Sequence, residues 1–458
     1  MRKQTLILSA FLCLCITNIY SQNWYDVGGG VNQMISDLDV DEANNILYIG
    51  GTFSTAGNIT AQQVVTWDEY NFAPLDCPNG ESMSMTGPIQ SGLFLNNRYI
   101  CGGMGSSAYA GCPATAQYIA FSKMQFAGVH WDTVGTDWYG YINSIARYQN
   151  KPVFTGIIGN VNLTTTNEMA NNITSWNGST WEVFGNNGNY GLTWPGHPGV
   201  EVFDAIEYNG ELFVSGLFSH AGGVQLANDF IARWNGSTWL SAGTSPVYIG
   251  HFGIYNNELY LAEYTGTHIY KWTGNDWIVF AQTSATPENT LNDIVEWNGK
   301  LVVTGKFSTI ENVSVNNIAV FDGASWTSLG TGLGCTSCSG AMGIKLATMN
   351  GSLYVAGEFD LAGSVNVSRL ARWGTISNVH ENTVSDQIKI TPNPARDNIK
   401  IDAPFLIKEI SIENTLGQTL LREGSNQNVM DVSALKSGIY IIKFNCGNES
   451  FSKRLVKE

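Results

Sequence analysis

Six histidines, at positions 130, 197, 220, 251, 268 and 380, are the first place to look for metal or acid–base chemistry. No two of them form HxH, HExxH or a Cys/His zinc spacing. No G-x-S-x-G elbow and no P-loop occurs. The run Asp37, Asp39, Asp41, Glu42 has the alternation of a calcium loop but lacks the Gly such a loop needs after its third acid. Asp37 has counterparts: Asp204 and Asp293 stand at the same place in the related phrases "DAIEY" and "DIVEW". Carboxylates recurring at one repeat position can gather around a channel and hold a cation, or simply be solvated there. The solvated reading is preferred, and no catalytic residue, metal site or cofactor is assigned.

Cysteine chemistry is the second possibility. Cys335-Thr-Ser-Cys338 has the spacing of a redox motif, a metal half-site or a small loop disulfide. With no second CxxC and no nearby His, the disulfide is the preferred reading. Cys77 and Cys112 fall in loops expected on one face of adjacent repeats and are a second candidate pair; Cys101 occupies a strand position.

The elements that must carry these residues are written as a repeat. The phrase "FDAIEYNGELFVSGLFSHAGG…DFIARWNGSTWLSAG" returns as "LNDIVEWNGKLVVTGKFSTIEN…NIAVFDGASWTSLG", and weaker copies bring the total to seven. Matching positions are Gly51, Gly102, Gly156, Gly216, Glu263, Gly305 and Gly357. Each copy holds four short alternating runs, which predicts a four-stranded antiparallel meander, and seven such units predict a β-propeller. Asn209-Gly210, Asn298-Gly299 and Asn350-Gly351 mark tight hairpins between first and second runs. Trp176/Trp181, Trp234/Trp239, Trp272/Trp277 and Phe321/Trp326 flank the turn between third and fourth runs. They read as cross-strand staples in preference to sugar-stacking platforms. The last copy stops at Trp373, while Trp24-Tyr25-Asp26-Val27 has the look of a fourth run with nothing before it, so the N-terminal strand is expected to complete the last unit. The order of hydrophobic run, Gly and Trp loosely resembles kelch-type propeller repeats over residues 24–376.

The tight turns share one face of such a ring, and the variable loops share the other. Variable loops on a rigid scaffold are where binding concentrates. "GNNGNYGLTWPGHPGVE" carries Tyr190, Trp194 and His197, and "GNVNLTTTNEMANN" carries Asn167 and Glu168. These five are the candidate ligand contacts.

Residues 1–21 read as a signal peptide: a basic start, an apolar run, and a small residue before Gln22. No later apolar run is long enough to span a membrane as a helix. A net charge of −15 argues against a nucleic-acid partner. After a polar linker at 377–387 the language changes. Residues 388–458 hold ten Lys/Arg against eight Asp/Glu, where residues 23–387 hold eleven against thirty. Pro392-Asn393-Pro394, Leu416-Gly417-Gln418, Ser437-Gly438-Ile439-Tyr440 and Lys453-Arg454-Leu455-Val456 follow in order. This segment resembles the type A sorting domain of the Bacteroidetes type IX secretion system. The resemblance implies a small β-sandwich read by the outer-membrane machinery, removal of the tail, and a cell-surface or secreted product.

The expectation is therefore an all-β chain: a seven-bladed propeller over residues 22–376 and a C-terminal sandwich. It is expected to act as a non-enzymatic module for an extracellular glycan or protein; a hydrolase or lyase acting on polysaccharide is the alternative.

Overall fold

Asn209 and Gly210 both take positive φ, 51° and 79°, and the pairs Asn298-Gly299, Asn350-Gly351 and Asn256-Asn257 do the same. That is the backbone of a two-residue hairpin turn matched to strand twist. The second recurring turn works differently. Only its Gly is left-handed, at 101° for Gly178 and 96° for Gly236. Its Asn closes the turn from the side chain: Asn177 Oδ1 accepts the Ser179 and Thr180 N–H groups at 3.0 and 2.9 Å, and Asn235 does the same for Ser237 and Thr238. The flanking rings meet across the hairpin, with centroids 5.2 Å apart for Trp176/Trp181 and 5.4 Å for Trp234/Trp239.

The computed structural model describes residues 22–61, 63–75, 88–103, 118–121, 138–163, 166–186, 188–197, 199–244, 247–284, 290–375, 389–403, 407–414, 418–424, 429–445 and 450–457. Among them there is no helix. Contacts divide the chain into two units, Met1–Thr375 and Ile376–Glu458.

In the first unit the strands of a copy pair in chain order, as in Glu201–Tyr208, Glu211–Leu217, Ile231–Trp234 and Trp239–Ser241. Every such sheet is open. Their first strands are Ile35–Asp41, Ile89–Leu95, Trp138–Tyr148, Glu201–Tyr208, Gly250–Tyr255, Thr290–Trp297 and Met342–Met349. Each neighbours the next, and the last neighbours the first. The sheet that begins with Met342–Met349 gains its fourth strand from Asn23–Asp26, which pairs with Leu370–Gly374 so that Trp24 lies opposite Trp373. Apolar side chains fill the space between successive sheets. One cluster joins Leu47, Ile49 and Val65 of one sheet to Tyr354, Ala356 and Leu370 of another.

The second copy departs from the expected meander. Tyr118–Phe121 runs parallel to Arg98–Gly103, not antiparallel. A parallel neighbour needs a connection of about a dozen residues or more, and residues 104–117 supply that length.

Six of the seven first strands carry a register shift near their start, for example between Val202 and Asp204 and between Leu291 and Asp293. This explains the recurring Gly of the second strand. A Cβ on Gly216 or Gly305 would run into the carbonyl oxygen of Glu201 or Thr290, which the shift brings close. The fifth copy pairs Gly250 with Glu263 and has no shift between first and second strands.

In the second unit Lys389–Thr391, Asn398–Asp402 and Val429–Asp431 form one sheet. Thr419–Gly424, Glu409–Glu413, Gly438–Asn445 and Ser450–Lys457 form another. Ile399, Ile401, Ile410, Ile412, Ile442, Phe444 and Leu455 make the core they share.

Candidate functional site

The register shifts put one side chain per sheet at a common level: Asp37, Ser91, Ser144, Asp204, Asp293 and Lys345. These groups bind the neighbouring first strand. Ser91 Oγ accepts Ile145 N–H at 3.0 Å, Asp204 Oδ2 accepts Phe252 N–H at 2.8 Å, and Asp293 Oδ2 accepts Leu346 N–H at 2.8 Å. Ser144 donates to Asp204 Oδ1 at 3.1 Å. Asp39 reaches across in the same way to Phe94 N–H. The recurring acids thus bridge sheets, and the cation beside them is the chain's own. Burial alone would lower the Lys345 pKa, but Asp293, Asp37 and Asp204 outweigh it and hold it above the usual lysine range.

The acids differ among themselves. Burial pushes Asp37 up to about 8 and Asp39 up to about 7. Asp37 Oδ2 has no hydrogen-bond partner among the described residues. Burial also keeps Asp293 raised against the pull of Lys345. Asp204 is lowered: burial opposes ionisation there, but His251 and Lys345 more than compensate. His251 Nδ1 lies 3.8 Å from Asp204 Oδ2, an ion-pair separation too long for a hydrogen bond. Among the described residues no group of three His, Cys, Asp or Glu is placed to hold a metal ion.

The loop-face candidates fall into three fates. Trp194 and His197 come together, ring centroids 4.4 Å apart, and Trp194 also packs edge-on against Phe230 at 5.8 Å. Phe230 stacks on Tyr248 at 5.9 Å, and Tyr248 is 55% exposed. Tyr190 is not part of this row. It sits in a ribbon with Gly185–Asn186, and its carbonyl accepts Asn171 Nδ2 at 2.7 Å. Asn167 and Glu168 lie on the strand Thr166–Met169, paired with the end of Lys151–Leu163; their side chains lie outside the described residues.

Phe230 and Tyr248 escaped sequence reading, although Phe230 left a signal in the repeat. The residue before the third strand is left-handed in five copies: Gln63, Asn172, Phe230, Asn317 and Arg369. Asn172 and Asn317 use that geometry. Each accepts a backbone N–H on Oδ1 at 3.2 Å and donates from Nδ2 to a carbonyl at 3.0 Å. Phe230, at φ 78°, makes no such bond and turns its ring into the row.

Cys335 and Cys338 form a disulfide. Its loop is tied further by Asp360, whose carboxylate accepts both the N–H and the hydroxyl of Thr336 and of Ser337, at 2.7–2.9 Å. The Ser337 hydroxyl, then the Thr336 bonds, hold Asp360 down to about 2. Cys77 and Cys112 lie outside the described residues, as does Gly417.

In the second unit Asn393 stands between two cis X-Pro bonds, at Pro392 and Pro394. Its Oδ1 accepts Val456 N–H at 2.9 Å, and Ala395 N–H donates to Val456 O at 2.8 Å, so the Pro-Asn-Pro turn is stitched to the final strand. Gly438 opens the strand Gly438–Asn445, Lys453 lies on Ser450–Lys457, and buried Tyr440 donates its hydroxyl to Lys436 O at 2.7 Å. Residues 389–458 match the family model of the secretion system C-terminal sorting domain. The tail is a type IX sorting domain. It directs the chain, through the type IX secretion machinery, to the cell surface or the medium. No described helix is long and apolar enough to cross a membrane.

No curated protein matches the chain. Solved structures with some likeness include the extracellular domain of the hybrid two component system BT4673 from B. thetaiotaomicron: 11% identity, 93% of this chain and 68% of that one, TM-score 0.40. PorZ, a surface component of the type-IX secretion system of Porphyromonas gingivalis, is similar at 10% identity over 95% and 85% of the chains, TM-score 0.27. The GH74 enzyme of Niastella koreensis is similar at 10% identity over 95% and 74%, TM-score 0.33.

Proposed function

We propose that residues 22–376 are a seven-bladed β-propeller displayed outside the cell as a non-enzymatic, glycan-binding module. In this reading residues 1–21 are a signal peptide, 377–387 a linker, and 388–458 the sorting domain. The cyclic order of the seven first strands, with Asn23–Asp26 joining the last sheet, supports the ring and its closure by the N-terminal strand. One observation carries the binding reading: the row His197, Trp194, Phe230, Tyr248, which ends in a large exposed aromatic on the variable-loop face. Aromatics anchor binding surfaces because they bury much area at little entropic cost.

A polysaccharide hydrolase or lyase is the second reading, favoured by the raised carboxylates Asp37 and Asp39. Against it, Asp39 accepts the N–H groups of Phe94 and Val40, Asp37 accepts that of Gly92, and the same level in other sheets does the same bridging. These acids hold strands together.

A glycan array probed with the full chain tests the reading, with the Trp194→Ala/Tyr248→Ala double variant as control. Binding lost in the variant supports it. Binding that survives the variant places the ligand elsewhere, and capture of surface proteins with a blank array assigns the face to a protein partner.

A further inference from the structure

The fifth copy of the repeat breaks its own rule. Six second strands carry a Gly beside a register shift; this one carries Glu263 and faces none. The result is a buried carboxylate, 4% exposed, which is costly unless its bonds are made. Glu263 Oε2 accepts Thr267 N–H at 3.1 Å and His268 N–H at 3.3 Å, and it faces His268 Nδ1 at 3.3 Å. With a carboxylate against Nδ1, the proton of the neutral ring belongs on Nδ1 and the lone pair on Nε2. The side chain is 32% exposed, so the oriented ring reaches the surface.

The aromatic row ends beside it: Gly250 pairs with Glu263, and the carbonyl of Ile249, next in the chain to Tyr248, accepts the Tyr264 N–H at 2.9 Å. The His268 ring lies 5.6 Å from Tyr270. Tyr270 feels both Glu263 and Tyr248, and burial with these two neighbours pushes its hydroxyl up to about 12. Tyr248 in turn stacks on Phe230. Two departures from the repeat therefore meet on one face: a left-handed Phe where other copies place Asn, Gln or Arg, and a buried Glu where they place Gly. Each carries a conformational or desolvation cost that the other copies avoid, which is the pattern expected where a site is built.

We propose that His268, oriented by Glu263, is the polar anchor of this face, accepting a hydrogen bond from a hydroxyl of an uncharged sugar chain packed along Tyr248 and Phe230. This rests on the glycan-binding reading above. The charge points to an uncharged ligand. Glu263 lies under the site, neither Lys nor Arg is among the residues that build it, and the chain carries a net −15. A polyuronate would be repelled. A cationic amino-sugar chain finds its carboxylate already taken by His268. His268 touches the ligand; Glu263 is a positioning residue.

The test titrates the full chain calorimetrically with cellohexaose, laminarihexaose and mannohexaose, and with hexagalacturonate and chitosan hexaose as charged counterparts. At least one neutral chain should bind and the charged ones should not. His268→Phe and Glu263→Gln should each weaken binding about tenfold, the cost of one lost or misdirected hydrogen bond. Bound ligand should also shield His268 of the unaltered protein from diethylpyrocarbonate, read by peptide mass spectrometry, which a merely structural histidine would not show. If His268→Phe binds normally while Trp194→Ala/Tyr248→Ala does not, the anchor is wrong and the glycan-binding reading stands. Binding only of a charged chain overturns the ligand class. No binding to any of the five overturns both.

Discussion

Trp24 is the residue through which the two ends of the first unit are joined, and replacing it with Ala measures what that junction is worth. The side chain is 5% exposed. Its ring meets Trp373 edge-on at 5.1 Å, and its Nε1–H donates to Leu329 O at 3.2 Å. Burying an aromatic of this size removes about 150–250 Å² from water, or about 4–6 kcal/mol at 25 cal/mol per Å². Large-to-small core substitutions of Trp give about 3–5 kcal/mol. These are two routes to one quantity and are not additive. Leaving the Leu329 carbonyl without its donor adds about 1 kcal/mol. The hole is hard to refill, because backbone lines it: Gly330 and Gly363 lie directly against the indole. We therefore expect a loss of about 4–5 kcal/mol, a fall in melting temperature of roughly 8–10 °C at about 2 °C per kcal/mol. Urea denaturation followed by tryptophan emission and scanning calorimetry both read it. Tyr25→Ala on the same strand is the control. Its ring is partly exposed beneath Arg372, 4.9 Å from the guanidinium carbon, a contact worth about 0.5–1 kcal/mol. A Trp24→Ala protein that melts within about 1 kcal/mol of the parent would refute the view that this strand holds the ends together.

Phe230→Asn should shift stability by less than about 1 kcal/mol, because Asn relieves the left-handed backbone that strains Phe but gives up the ring's packing on Trp194, Tyr248 and the adjoining core; a loss above about 2 kcal/mol by urea denaturation would show that packing outweighs strain. Lys345→Met should cost about 3–5 kcal/mol at neutral pH by leaving Asp204 and Asp293 without their cation. The same substitution should cost less in acid, where those carboxylates are protonated, and an effect of equal size at both pH values would contradict the assignment. Asp37→Asn should flatten the pH dependence of stability. The folded pKa of Asp37, about 8, lies above its unfolded value, so its contribution is fully present below the unfolded pKa and is lost as pH rises through about 8. Urea midpoints should fall between mildly acidic and mildly alkaline pH in the parent and less in the variant.

The local rules of this molecule were open to reading from the chain alone. The sign of φ at Asn209-Gly210, the side-chain closure of the Asn177 and Asn235 turns, and the pairing of Trp176 with Trp181 depend on residues a few positions apart, so a short phrase specifies them. Repetition of that phrase seven times, and the ordered motifs of the tail, carry their own statistical weight. Even the odd Glu263 among six glycines stands in plain view in the repeat.

What it does there is a different matter. The sequence shows Asp37, Asp204 and Asp293 recurring, but whether such acids hold a metal, meet water or bridge strands depends on what seven sheets place beside them. Only the packing of sheet against sheet brings Lys345 among them and buries Asp37 without a full set of partners. In the same way Trp194 and His197 were visible as candidates, while Phe230, Tyr248 and the Glu263–His268 pair were not. The Phe230–Tyr248 contact joins successive copies and the Glu263–His268 pair lies within one, but the energies of both come from desolvation and from side chains meeting in space, which arise only when the sheets pack.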